Sequence, residues 1–476
     1  MLIFFACVAA LILGYFTYGT FVEKTFGADA SRRTPAYEME DGVDYMPLPK
    51  WKVMFIQVLD IAGIGPIFGP ILGALYGPVA LVWIVIGCIF AGGVHDYFSG
   101  MLSIRNRGGS IPEVVGDFLG MPARQAMRVF SVVLLMLVGV IFVLAPAKLL
   151  TGLTGVNTQI FIFAIFGYYF LATILPIDKV IGKIYPLLGA LLLITTVATV
   201  LALMFGGYEI LPNLDVTTSV HPANKPIWPL LFITLSCGAI SGFHSTQSPL
   251  MARCVKNEKD GRAVFYGAMI LEGIIGLIWA TVGLSFYKSP EALSAVIAAG
   301  SPSAVVSEVS NALLGPVGGF LAILGVIVLP ITSGDTAFRS TRLILAESFN
   351  VSQSQTAKRL MIAVPLFVLG FIISTQNFGM IWRYFGFSNQ ALATLVLWSA
   401  AVFLAREAKN YWIACLPATF MTAVVVTFIL QAKIGFGMDI GTSTVIGVGT
   451  AAVLLCLFVY KAVGMKAVKT AEGMAE

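Results

Sequence analysis

Charge is what this 476-residue sequence has least of: Lys, Arg, Asp and Glu make up 11% of it, against 58% hydrophobic residues and a mean hydropathy of +0.91. A soluble domain carries roughly a quarter charged residues, so the chain lacks the polar surface to wet a globule of its size. The net charge of +5 is small and scattered, which excludes a nucleic-acid binder. Histidine occurs three times (His95, His221, His244) and forms no H-E-x-x-H, which excludes the zincin proteases. The six cysteines have no C-x-x-C spacing and read as buried thiols rather than a disulfide frame or zinc site. No G-x-x-x-x-G-K-[ST] is present, so ATP does not drive the chain directly, and no G-x-S-x-G supplies a nucleophile elbow. Ser245 and His244 are neighbours on one backbone and cannot readily meet as nucleophile and base. The expectation is a non-enzyme with no cofactor beyond a coupling ion.

What is abundant is long apolar stretches. A bilayer core needs roughly 20 apolar residues per helix, and thirteen stretches qualify: 2–22, 52–76, 79–103, 126–147, 158–176, 180–206, 228–250, 263–287, 316–338, 360–376, 380–405, 411–432 and 442–463. The first has no basic n-region or small-residue cleavage site before Glu23-Lys24 and reads as a retained helix. Loops after odd-numbered stretches hold 24 of the 29 Lys and Arg residues. Basic residues crowd cytoplasmic loops, so the split supports thirteen spans, an external N-terminus and a cytoplasmic C-terminus. An all-α polytopic membrane protein is expected.

Gly and Pro clusters at membrane depth are tolerated only where protein or water satisfies the backbone. Two spans carry them: the second at Gly63-Ile64-Gly65-Pro66-Ile67-Phe68-Gly69-Pro70, and the seventh at Cys237-Gly238-Ala239-Ile240-Ser241-Gly242-Phe243-His244. They lie five spans apart, and five is odd, so the two units enter the membrane from opposite sides. The chain then divides into an extra span and loop (1–50), a five-helix unit (51–206), an external loop (207–227), a second five-helix unit (228–405) and two further spans with a tail (406–476). This is the inverted repeat with interrupted first helices of many secondary transporters. Half-helix N-termini there offer N–H groups to a carboxylate. Gly63, Gly65, Ser241 and Gly242 would allow its close approach, with His244 and Gln247 contacting the rest of the solute.

Ionisable groups inside spans cost a few kcal/mol and mark function by default. Asp60 precedes the first break, as a coupling group or a half-helix cap. His244 is a substrate or proton contact or a packing histidine, and Glu272 is a proton site or an interhelix tie. His95 and Asp96 close the third span as interfacial or gate residues. Thr332 and Ser333 can offer hard oxygens to Na⁺ or bond back to their own helix. Asp335 and Arg339 stand i,i+4 and can pair as a gate. Asn389 and Gln390 can line an outer vestibule, again as gate residues.

The run Asp41-Gly42-Val43-Asp44-Tyr45-Met46-Pro47, Lys50-Trp51, Ile61 to Pro70, His95-Asp96, Ser236 to Ser245, Thr332-Ser333-Gly334-Asp335 and Trp382-Arg383-Tyr384-Phe385-Gly386 resembles, in order along the chain, the carbon starvation protein A (CstA) family. The resemblance implies a short form of an APC-superfamily (LeuT-like) secondary transporter of a bacterial-type cytoplasmic (inner) membrane. It would import peptides or pyruvate during nutrient limitation, with proton symport in the pyruvate carriers. Long members commonly carry a His-His pair where this chain has Ile56-Gln57, which leaves H⁺ or Na⁺ open as coupling ion. The alternative is a solute-sensing or channel-type membrane protein without coupled transport.

Overall fold

The structure, a computed structural model, describes residues 1–42, 44–174, 178–211, 215–351 and 355–473, without the side chains of 173–188, Thr332, Val463 and 465–473. Among these every regular element is a helix, and the one β feature is an isolated bridge between Leu48 and Val255. Nine described helices are long and apolar enough to cross a membrane, ten when one bent pair counts as a single span. Stretches expected at 158–176 and 180–206 appear within the helices Thr158–Ile174 and Asp178–Phe205. The stretch expected at 316–338 runs on to Ser348 from a kink at Gly315 (φ 67°).

The bent pair is the first predicted break. Lys50–Ala62 ends at Gly63 (φ 31°, ψ −142°), and Gly65–Ala74 restarts at an angle of 47°. Pro66 falls in the first turn of the new helix, where its missing N–H costs nothing. The second break is longer. Leu230–Thr234 stops, residues 235–241 run without helix, and Gly242–Ala252 begins after the extended Ser241. Gly238 at φ 87° supplies the left-handed turn that a side chain would oppose.

Small residues let the two breaks touch. A methyl group on Gly69 would lie 3.3 Å from the Cys237 carbonyl oxygen, and one on Gly65 would lie 2.5 Å from Cys237 Sγ. The Gly267–Ser285 helix packs on the Gly65–Ala74 half-helix, with Gly276 against Pro70 and Gly238. The Gly242–Ala252 half-helix packs on Gly93–Arg105 and on Phe378–Arg406. These contacts place three helices around the paired breaks.

Candidate functional site

The unwound segment leaves backbone groups that side chains from neighbouring helices satisfy. Asn389 Oδ1 accepts from the Phe243 N–H at 2.7 Å, capping the second half-helix, and Asn389 Nδ2 donates to the Ser236 carbonyl at 2.6 Å. Gln390 Nε2 donates to the Phe232 and Ile240 carbonyls at 3.0 and 3.3 Å. Glu272 Oε1 accepts from the Gly238 N–H at 3.0 Å, and the Cys88 thiol donates to the Gly238 carbonyl at 2.9 Å. A carboxylate accepting a backbone N–H is a strong, charge-assisted bond. The break is therefore held open by Asn389, Gln390 and Glu272.

The same Glu272 begins a buried chain of ionisable groups. Its Oε2 lies 2.9 Å from His244 Nε2, an ion-pair distance whose angle falls outside hydrogen bonding. His244 Nδ1 donates to Asp96 Oδ2 at 2.8 Å, and His95 Nδ1 donates to Asp96 Oδ1 at 2.7 Å. All four side chains are fully buried. With both Nδ1–H groups on Asp96, a proton between Glu272 and His244 has two positions: on the carboxyl, or on Nε2. The 2.9 Å separation is within reach of proton transfer, which also requires the two groups to come into line. His95 Nε2, at the far end, has no partner. Cys237 Sγ, His244 and Glu272 also bring ligand atoms within 4.8 Å of one another, a set that would suit a soft divalent ion.

Several expected residues gather here and others do not. His244, Glu272 and Asp96, expected in three different roles, form one network. Ser241 and Gly242 open the second half-helix, where Ser241 Oγ bonds Asn389. Gly65 faces Cys237, whereas Gly63 faces Phe142. Gln247 is buried with its Oε1 unpartnered and its Nε2 on Thr246. Asp60 is buried on the Lys50–Ala62 helix, one turn from Gln57, which reaches Ser248 at 3.4 Å. Ser333 Oγ donates to the Leu59 carbonyl at 3.3 Å, tying the Pro302–Ser348 helix to the first broken helix. The Thr332 side chain lies outside the described residues.

Two expectations need correction. Asn389 and Gln390 line no vestibule: both are buried against the second break, because the unwound backbone needs their amides. Asp335 and Arg339 do not pair: both Asp335 oxygens lack a hydrogen bond, and Arg339 donates to the Ala172 carbonyl at 3.1 Å. Sequence reading overlooked Cys237 as a site residue, and it also overlooked Glu258. Glu258 is buried where residues 23–50 meet 251–262, and it accepts from Arg105 Nε and Nη2 at 3.2 and 3.1 Å and from the Asp29 N–H at 2.9 Å. Arg32 approaches it at 3.5 Å, and Arg262 with Glu23 (3.2 Å) and Lys50 with Asp260 (3.5 Å) complete a cluster of ion pairs that ties these segments together.

The family profile described as carbon starvation protein CstA matches residues 1–163, 145–314 and 291–428. The chain belongs to the CstA family. It is 48% identical over 352 residues to an uncharacterized membrane protein of Haemophilus influenzae, covering 63% of this chain and 95% of that one. It is 25% identical over 528 residues to the peptide transporter CstA of Bacillus subtilis, covering 88% of each. Over 345 residues it is 25% identical to the pyruvate/proton symporter BtsT of Escherichia coli, covering 57% of this chain and 47% of that one. Among solved structures it superposes on Mhp1, a nucleobase-cation-symport-1 family transporter, with a TM-score of 0.54 at 14% identity, covering 87% of this chain and 92% of that one. That likeness concerns the fold: an all-α, many-span membrane architecture shared with transporters.

Proposed function

We propose that this CstA-family membrane transporter is a secondary carrier that imports a small carboxylate-bearing nutrient, a peptide or pyruvate, by cation symport across an inner membrane. The carrying observation is that two helix breaks touch (Gly65 and Gly69 against Cys237) beside a buried Glu272–His244–Asp96–His95 chain. In this reading the thirteen spans form a five-plus-five inverted repeat with the N-terminus outside. The solute carboxylate meets the N-terminus of Gly242–Ala252 near Ser241, Gly242 and His244, and alternating access proceeds by rocking one unit against the other. The proton chain favours H⁺ as coupling ion. Ser333 Oγ beside the Leu59 carbonyl supports Na⁺ as the second reading, and Asp60 is the remaining candidate coupling group.

Moving one charge through 100 mV is worth about 2.3 kcal/mol. Pyruvate entering with one cation carries no net charge, whereas a zwitterionic peptide with one cation does. Uptake into liposomes with the pH, Na⁺ and voltage gradients clamped separately therefore tests solute and ion together. Accumulation driven by a pH gradient, lost in Glu272→Gln while counterflow exchange persists, is the expected result. Flux that never exceeds equilibrium would instead identify a channel.

A further inference from the structure

The span Val79–Arg105 begins next to Tyr76 and finishes at Arg105 on Glu258, so these two residues mark opposite ends of the molecule. Around Tyr76 lies a cavity of about 410 Å³. Its floor includes Thr234, the last helical residue before the second break, and Leu72, a residue of the first half-helix. Lys148, Lys225 and Arg383 converge on it from three separate segments, and no carboxylate is among the described residues that line it.

Lys148 Nζ sits 5.2 Å from the centre of the Phe378 ring, and none of the three forms an ion pair among the described residues. His221 in the same wall adds no charge near neutral pH, since burial and the nearby Lys225 push its pKa down to about 4. One more donor points the same way. The Trp382 indole is buried, lines the cavity, and its Nε1–H has no acceptor among the described residues. Trp382 stacks on Phe378 at 5.8 Å and meets Phe68 at 6.2 Å, the residue beside Gly69 where the breaks touch. Phe68 also meets Phe378 at 6.4 Å, so the three rings form one aromatic cluster between this side of the cavity and Gly69.

We propose that this cavity is an outer subsite that holds the solute's carboxylate, through Lys148, Lys225, Arg383 and the Trp382 N–H, before the solute passes the Phe68–Phe378–Trp382 rings. Unpaired charges in a concave mouth focus the field and concentrate anions, and Lys and Arg donate charge-assisted bonds to a carboxylate. The inference rests on the reading that the chain carries carboxylate-bearing solutes. It adds where they are first captured.

The test measures uptake of pyruvate, of the dipeptide Ala-Ala and of its C-terminal amide by full-length protein in liposomes of zwitterionic lipid, which offer no competing anionic headgroup. Calorimetric titration of pyruvate into the detergent-purified protein runs in parallel. Lys148→Gln and Arg383→Gln should each raise KM for pyruvate about fivefold, the worth of one solvent-screened contact between unit charges, with kcat unchanged. Trp382→Phe, which keeps the ring and removes the N–H, should give a smaller rise. High salt should weaken the wild type more than either charge variant. Wild-type uptake with KM unaltered in all three variants overturns the subsite and leaves the transport reading standing. No uptake, with salt-sensitive pyruvate binding that Lys148→Gln and Arg383→Gln weaken, overturns the transport reading and supports the subsite. Neither uptake nor binding overturns both.

Discussion

The two ends of this molecule handle positive charge in opposite ways. At the Glu258 end every named cation meets a carboxylate: Arg105 and Arg32 on Glu258, Arg262 on Glu23, Lys50 on Asp260. At the other end Lys148, Lys225 and Arg383 share a cavity with no acid among its described lining residues. Pairing ties segments of chain together. Leaving the charges unpaired keeps a mouth hydrated and attractive to anions. The same residue types thus cross-link chain segments around Glu258 and stand unpaired around the cavity at the other end.

Substitutions that exchange these characters probe the comparison. Glu258→Ala should have the largest effect, because it strands Arg105 beside a buried gap. Removing one partner of a buried pair costs about 3 kcal/mol or more, discounted here because Arg32 is half exposed. The expected readouts are a clearly lower thermal midpoint in detergent and faster proteolysis between residues 23 and 50. Next, Lys148→Glu should give the cavity end the pairing of the Glu258 end. It would supply a partner for Lys225 and Arg383, and pyruvate uptake should fall well below that of Lys148→Gln, while uptake of the Ala-Ala amide should change less. Asn389→Ala, midway between the ends, removes a cap worth about 1–2 kcal/mol and strands the Ser236 carbonyl. Its stability loss should be nearly the same with either solute present.

The smallest effect concerns His221. Its folded-state value of about 4 lies below its ordinary value of 6.5, because burial and Lys225 disfavour the charged ring. The unfolded chain therefore takes up the proton first as pH falls through 6.5, and stability declines between there and about 4. His221→Gln should flatten that decline and leave stability at pH 7.5 nearly unchanged, as thermal midpoints across the pH series will show. The solute KM should vary little between pH 5 and 8 through this residue.

Much of this arrangement was legible in the sequence because local rules dictated it. Gly63, Gly65 and Pro66 cannot continue a helix, and residues 237–242 are too polar and too glycine-rich for an uninterrupted span, so both breaks could be read directly. His244 and Glu272 stood out because charge inside an apolar stretch is costly. What was illegible is what depends on contact across long separations. Nothing local links Asp96 to His244, 148 residues away, or marks Cys237 as Gly65's neighbour. Asn389 was misread because its polar run looks interfacial, whereas an unwound backbone elsewhere had prior need of an amide. Glu258 sits in a loop where charge looks solvated, and only the folded chain buries it. Asp335 and Arg339 had the right spacing to pair, but the guanidinium found the Ala172 carbonyl instead.

Cys237 has a practical consequence. Its thiol is buried against Gly65, where a methyl group would lie 2.5 Å from its sulfur, and the thiols of Cys88, Cys254 and Cys415 are buried as well. Any motion that parts the half-helices uncovers Cys237 to a small alkylating probe. The protein thus carries a built-in stopwatch: the labelling rate at that one sulfur, with and without solute, reads how often the half-helices part.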